Sequence, residues 1–141
     1  MSTSLQLNEM VKELKIKNYL GYFSKDEIPN SLPPSKQYCF LCNFQNKNES
    51  GSHHVAFWRN GSDRRYFDSF GGPILNEIIK LEKNKKIWNY QSFDSVKPDT
   101  LIQDPSSTLC GELSVLFLVL CDKGYSFPQI IKLLLLSNDN H

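Results

Sequence analysis

SSTLCGELSVLFLVLCD, residues 106–122, decides the fold. Ser106, Ser107 and Thr108 are hydroxyl residues able to cap a helix N-terminus, and Gly124, just past Asp122, is a natural C-terminal stop. Between these signals Leu113, Val115, Leu116, Phe117, Leu118, Val119 and Leu120 run round most of a helical circumference. A helix that is apolar on nearly all sides has to be buried inside a domain. Cys110 falls in its first turn, where the helix dipole and the free backbone N–H groups favour thiolate over thiol. A cysteine taken alone is more often an inert core residue. Gly111 behind it is expected to leave room for a substrate chain.

Outward from this helix, the remaining pattern predicts an α+β arrangement. Leu7, Met10, Val11 and Leu14 have the spacing of an amphipathic helix, and 24–36 reads as irregular connection. Tyr38 to Asn43 predicts a strand. His53 to Arg59 and Arg65 to Phe70 predict a hairpin across the four-residue turn Asn60-Gly61-Ser62-Asp63. Pro73 suits the first turn of a helix carrying Ile74, Leu75, Ile78 and Ile79, and 86–91 predicts a further strand. Ser126 and Gln129 have the spacing of a capping box opening a last helix through Leu136. The expectation is a small mixed sheet flanked by helices, with 1–141 as a single domain.

Composition narrows the function classes. The 141 residues carry a net charge of only +1, so no overall electrostatic attraction to nucleic acid or membrane is expected. The small basic clusters, Arg59/Arg64/Arg65 and Lys80/Lys83/Lys85/Lys86, are expected to be solvated faces. No apolar stretch approaches the roughly 20 residues of a membrane span. MSTSLQLNEM has neither the charged nor the apolar region of a secretory signal. With four cysteines, the expectation is an intracellular protein with free thiols.

If Cys110 is a nucleophile it needs a base, and the chain offers only His53, His54 and the terminal His141. Neighbours on a strand point to opposite faces. With Arg59 opposite Arg64, His53 and Asp68 share a face as diagonal neighbours, while His54 goes to the other face with Ala56 and Trp58. An odd loop length reverses that choice. Asp68 sits among aromatics in YFDSF, where a partly buried carboxylate needs a partner. Gln103, seven residues before Cys110, could aim a side-chain amide at a developing oxyanion. A zinc reading of Cys39-x-x-Cys42 lacks a second correctly spaced ligand pair, so Cys39, Cys42 and Cys121 are expected to be core thiols and no metal is expected.

These residues resemble the adenovirus-type (adenain-like) cysteine proteases, and among them the short versions of virophages and Maverick-type DNA transposons. GYFSKDEIP (21–29) is similar to the family's Gly-x-Phe-x-x-Asp-Glu-Leu-Pro segment, and GSHHVAFW (51–58) to its Gly-x-His-Trp-Val-Ala block. YFDSFGG (66–72) resembles Tyr-Phe-Asp-Ser-Phe-Gly, and IQDPSSTLCG (102–111) the segment from glutamine to Cys-Gly. The resemblance implies a catalytic His53, an acidic partner Asp68, an oxyanion-hole Gln103 and a nucleophile Cys110, on a fold shared with SUMO-deconjugating proteases. His54 stands where the family usually has tryptophan. The implied function is processing of viral or transposon capsid precursors at glycine-containing sites, by a monomer in the infected cell that is packaged in the virion. The alternatives are removal of ubiquitin-like modifiers and a catalytically inactive scaffold that binds capsid protein. Adenovirus protease is activated by a disulfide-linked peptide and by DNA. This chain has no clear counterpart of the cysteine used there, so no cofactor is expected.

Overall fold

The computed structural model describes residues 3–28, 37–43, 53–83, 93–95 and 110–138. Its elements, in chain order, are α1 (Ser4–Glu13), β1 (Tyr19–Ser24), β2 (Gln37–Asn43), β3 (His54–Asn60), β4 (Asp63–Phe67), α2 (Asn76–Lys83), β5 (Phe93–Ser95), α3 (Cys110–Asp122) and α4 (Phe127–Asn138). The strands form one mixed sheet in the order β1-β2-β3-β4-β5. The two inner pairings, β2–β3 and β3–β4, are antiparallel, and the two outer ones are parallel. This is the α+β architecture expected from the sequence.

Both faces of the sheet are covered, and strict alternation along the strands divides the core in two. Cys39, Leu41, Ala56, Trp58 and Phe67 pack with α1, α3 and α4. Tyr38, Phe40, Cys42, Val55, Phe57 and Tyr66 pack with Leu75, Ile78 and Leu81 around α2. Cys39 and Cys42 therefore point into opposite halves of the core, which is incompatible with a shared metal ion. Phe117 of α3 stacks on Phe67 at 4.9 Å between ring centroids and meets Phe127 edge-on, joining sheet, α3 and α4. Leu116 is the residue of α3 that turns outward.

The helix ends are stopped as the residue pattern requires. Thr3 and Gln6 form a capping box on α1, and Ser126 and Gln129 form one on α4. Gly124, at φ +95°, closes α3: its N–H donates to the Cys121 carbonyl, and the Tyr125 N–H donates to that of Leu120.

Several expectations need correction. β1 was not anticipated and meets the expected connection only at Ser24. It is an edge strand with an irregularity between Tyr19 and Tyr22, at Gly21 (φ +134°), and all its residues are half-buried, so it shows no alternation to read. The hairpin has the expected Arg59–Arg64 register, but pairing continues to Asn60–Asp63 and leaves a two-residue loop. β4 stops at Phe67 because Asp68 turns back on itself: its Oδ1 accepts from the Phe70 N–H and its carbonyl from the Gly71 N–H. α2 starts at Asn76 rather than Pro73, its first bonds returning to the Leu75 carbonyl.

The arginine cluster is buried, not solvated. Arg65 lies 4.4 Å over the Trp58 ring, pairs with both Asp63 oxygens and donates to the Tyr125 carbonyl, so its charge is matched as it leaves water. The strand expected at 86–91 and the caps at 106–108 lie outside the described residues.

Because Phe117 is fully buried between two other rings, Phe117→Ala should cost about 3–5 kcal/mol. Leu116→Ala, one residue away on the outward face, should cost no more than about 1 kcal/mol. Urea unfolding of both variants measures the difference.

Candidate active site

The start of α3 lies against the start of β3. Cys110 is the first residue of its helix and is 4% exposed. The His54 backbone N–H donates to Cys110 Sγ at 3.4 Å. Ser114, one turn along α3, donates from its hydroxyl to the Cys110 carbonyl at 2.8 Å and lies 3.3 Å from the His54 carbonyl. A Cβ on Gly111 would stand 2.6 Å from Leu7 Cδ1 and 3.2 Å from the His54 ring. Gly111 therefore serves close packing of α3 on α1 and β3, and it does not open space for a substrate.

His53 precedes the strand, so sheet alternation does not dictate where its side chain goes. Its Nε2 lies 2.9 Å from Asp68 Oδ1, and its ring stacks on Phe70 at 4.8 Å between centroids. Nearby Cys110 also favours the charged form of the imidazole. Asp68 is buried at the bend that ends β4. A Cβ on Gly72 would meet Asp68 Oδ2 at 2.6 Å, so the chain needs glycine there to fold over the carboxylate.

Three of the four residues singled out from the sequence thus come together: His53, Asp68 and Cys110. Gln103 lies outside the described residues. The face argument that separated the two histidines is corrected in one respect. His54, in the strand proper, is the histidine on the α3 side, with Ala56 and Trp58, while His53 lies beyond the strand end and is influenced by Cys110 from there. His54 has no part in the Asp68 contact. Its Nδ1 is hydrogen-bonded to the Tyr22 hydroxyl, and the two rings meet edge to face.

The two neighbouring imidazoles are driven to opposite charge states. Burial works against a charged His53, but the hydrogen bonds and charges of Asp68 and Cys110 outweigh it and raise the ring to about 9. Burial lowers His54, and the adjacent His53 charge lowers it further, against a weaker opposing pull from Glu112. Near neutral pH the site therefore holds an imidazolium between a carboxylate and a sulfur, with a neutral imidazole beside it. Such a set can deliver a sulfur nucleophile and shuttle one proton.

Tyr22, Ser114, Phe70 and Gly72 were not singled out from the sequence. Ser114 had a readable signal: a hydroxyl four residues after Cys110, inside an otherwise apolar helix, needs a nearby backbone acceptor. Among the described residues no group of three or more His, Cys, Asp or Glu could hold a metal, and no helix is long and apolar enough to cross a membrane.

No protein-family model matches the chain. Among curated proteins it is similar to the protease of porcine adenovirus A serotype 3, 28% identical over 128 residues, covering 83% of this chain and 62% of the relative. It is also similar to the protease of avian adenovirus 8, 26% identical over 139 residues, covering 91% of this chain and 67% of the relative. The chain thus spans about two thirds or less of the length of these relatives. Among solved structures it shares the fold of an ASFV protease, with a TM-score of 0.62 at 16% identity, over 92% of this chain and 60% of that one.

Because His53 is raised from 6.5 to about 9 in the folded chain, its interactions stabilise the protein fully below about pH 6.5. That contribution is lost as pH rises through about 9. An NMR titration of the ring should show this high value, and Asp68→Asn should move it down. A His53 that titrates near 6.5 in the folded protein would contradict the geometry.

Proposed function

We propose that this chain is a cysteine-type endopeptidase with Cys110 as nucleophile, His53 as acid–base, Asp68 as the group that orients it, and Gln103 as an oxyanion donor. The observation that supports this most is the His53 imidazole held by Asp68 at 2.9 Å and drawn to its charged form by Asp68 and by Cys110, the first residue of α3. Similarity to adenovirus proteases over most of the chain points to the same class of reaction.

Nε2 is taken by Asp68, so Nδ1 is the nitrogen that exchanges a proton with the sulfur. For attack the Cys110 proton passes to the imidazole, which leaves the sulfur as the nucleophile. The sulfur attacks a peptide carbonyl carbon and the carbonyl electron pair moves to oxygen. The Cys110 backbone N–H and the Gln103 side chain stabilise that oxyanion. When the C–N bond breaks, His53 gives its proton to the departing amine, leaving a thioester on Cys110. His53 then takes a proton from a water that attacks the thioester, the new acid leaves, and the proton stays on the imidazole as the thiolate returns. Asp68 holds the ring on Phe70 throughout.

The substrates are precursors of viral or mobile-element structural proteins, cut beside glycine. The enzyme acts as a monomer within the infected cell and is carried into the virion. In its motif blocks it resembles the short proteases of virophages and Maverick-type elements. Adenovirus relatives support the viral setting, and the resemblance of the four motif blocks supports the substrate class. A cleft too narrow for side chains accounts physically for a glycine preference.

Incubation with the structural precursors encoded beside it, followed by sequencing of new termini, tests this reading. Cys110→Ala should abolish cleavage with folding intact. His53→Ala should lower the rate about 10²–10⁴-fold, as for a positioned acid–base group. Gln103→Ala should lower kcat about 10²–10³-fold with little change in KM. Cleavage that survives Cys110→Ala would overturn the assignment, and an unchanged kcat in Gln103→Ala would remove the glutamine from it.

A further inference from the structure

His54 is the residue of this site whose chemistry the proposed reaction leaves unused. It is 4% exposed, it adjoins the acid–base histidine, and its ring carries two polar nitrogens into the junction between α1, β1, β3 and α3. Burying an imidazole there is costly unless something compensates for it. The compensation comes from Tyr22, on the edge strand β1, whose hydroxyl is hydrogen-bonded to His54 Nδ1.

The direction of that bond follows from the surroundings. The Tyr22 hydroxyl is pushed up to about 12, chiefly by burial, so it keeps its proton near neutral pH. The side chains of Ser4 and Asn43 also lie within hydrogen-bonding reach of it. An amide such as that of Asn43 can donate N–H to the phenol oxygen, which leaves the phenol's own O–H to donate to Nδ1. An imidazole that accepts at Nδ1 and is neutral carries its proton on Nε2. One tautomer and one ring orientation are thereby selected.

His54 touches the nucleophile's helix at two points. Its ring stands 3.2 Å from where a Gly111 Cβ would be, so ring orientation and helix position are coupled through close packing. Its backbone N–H is the donor that meets Cys110 Sγ, and its carbonyl lies near the Ser114 hydroxyl. A small rotation of this ring would shift both the N–H aimed at sulfur and the first turn of α3.

We propose that Tyr22 and His54 form a positioning pair, in which the phenol locks the His54 ring in one tautomer and so fixes the first turn of α3 and the backbone N–H that meets Cys110 Sγ. The pair acts through the backbone of residue 54 and does not exchange protons with substrate. This inference rests on the peptidase reading above and names what holds the nucleophile in register with His53.

The test uses the full chain and the best peptide cleaved by the unsubstituted protein. Tyr22→Phe, which removes only the hydroxyl, should lower kcat about tenfold with KM unchanged, the scale of one hydrogen bond lost from a buried group. His54→Leu should do at least as much, because it leaves the buried Tyr22 hydroxyl without its acceptor. The double variant Tyr22→Phe/His54→Leu should be no worse than His54→Leu alone, since removing both partners leaves nothing unsatisfied. His54→Asn, whose amide oxygen can stand where Nδ1 stands, should keep most of the rate.

Imidazole ¹⁵N spectra, which need no activity, should show His54 of the unsubstituted protein as a single Nε2–H tautomer and as a mixture in Tyr22→Phe. Wild-type kcat in Tyr22→Phe, a double variant whose loss is the product of the single losses, or an unchanged tautomer would overturn the pairing. If the unsubstituted protein cleaves nothing, the peptidase reading fails, and the spectra still decide whether the pair exists.

Discussion

The site depends on one junction: the first turn of α3 pressed against the first residue of β3. A helix start exposes unbonded N–H groups, and a strand start exposes the backbone N–H of the residue that opens the ladder. Here the His54 N–H lies 3.4 Å from the Cys110 sulfur, which stands at the first residue of α3. Packing makes the approach possible. Gly111 lets α3 close on Leu7 and on the His54 ring, and Ser114 ties the helix backbone back toward the strand. A Cβ on residue 111 would require the Leu7 side chain and the His54 ring to give way.

The second support is the bend after β4. Asp68 leaves the ladder at the point where its carboxylate can accept both from the Phe70 N–H and from His53. Phe70 then supplies the flat surface on which the imidazole lies, and Gly72 lets the chain fold over the acid. One short segment, 68–72, thus provides the acid, the stacking ring and the close turn. Its geometry also separates the two adjacent histidines electrostatically: His53 faces a carboxylate and a sulfur, while His54 faces a phenol in a drier place. Neighbours in sequence come to carry opposite charge states because one lies outside the ladder and the other within it.

Much of this was legible in the residues. The apolar run ending at Cys121, the stop at Gly124 and the capping box at Ser126 announce α3 and α4, since each signal is local and is set by backbone hydrogen bonding. Even loop parity, which the observed Arg59–Arg64 register has, put His54 on the face of Ala56 and Trp58, but it does not govern the His53–Asp68 contact, since both residues lie beyond the paired strands. The reach of His53 to the sulfur did not follow, because a residue beyond the end of a strand is freed from alternation. β1 was illegible because an edge strand bulged at a glycine has no period to detect. Arg59, Arg64 and Arg65 read as surface because their burial depends on long-range partners such as Trp58 and Tyr125. The same holds for Tyr22, whose link to His54 spans 32 residues.

The central claim is that Cys110 is a nucleophile held and activated by His53. Its most direct test is labelling of the folded chain near neutral pH with a peptide carrying a thiol-reactive electrophile, read out by mass mapping. The account predicts a single adduct on Cys110, with buried Cys39, Cys42 and Cys121 unmodified and the adduct nearly lost in His53→Ala. An adduct on another cysteine, or one that forms on Cys110 just as fast without His53, would contradict it.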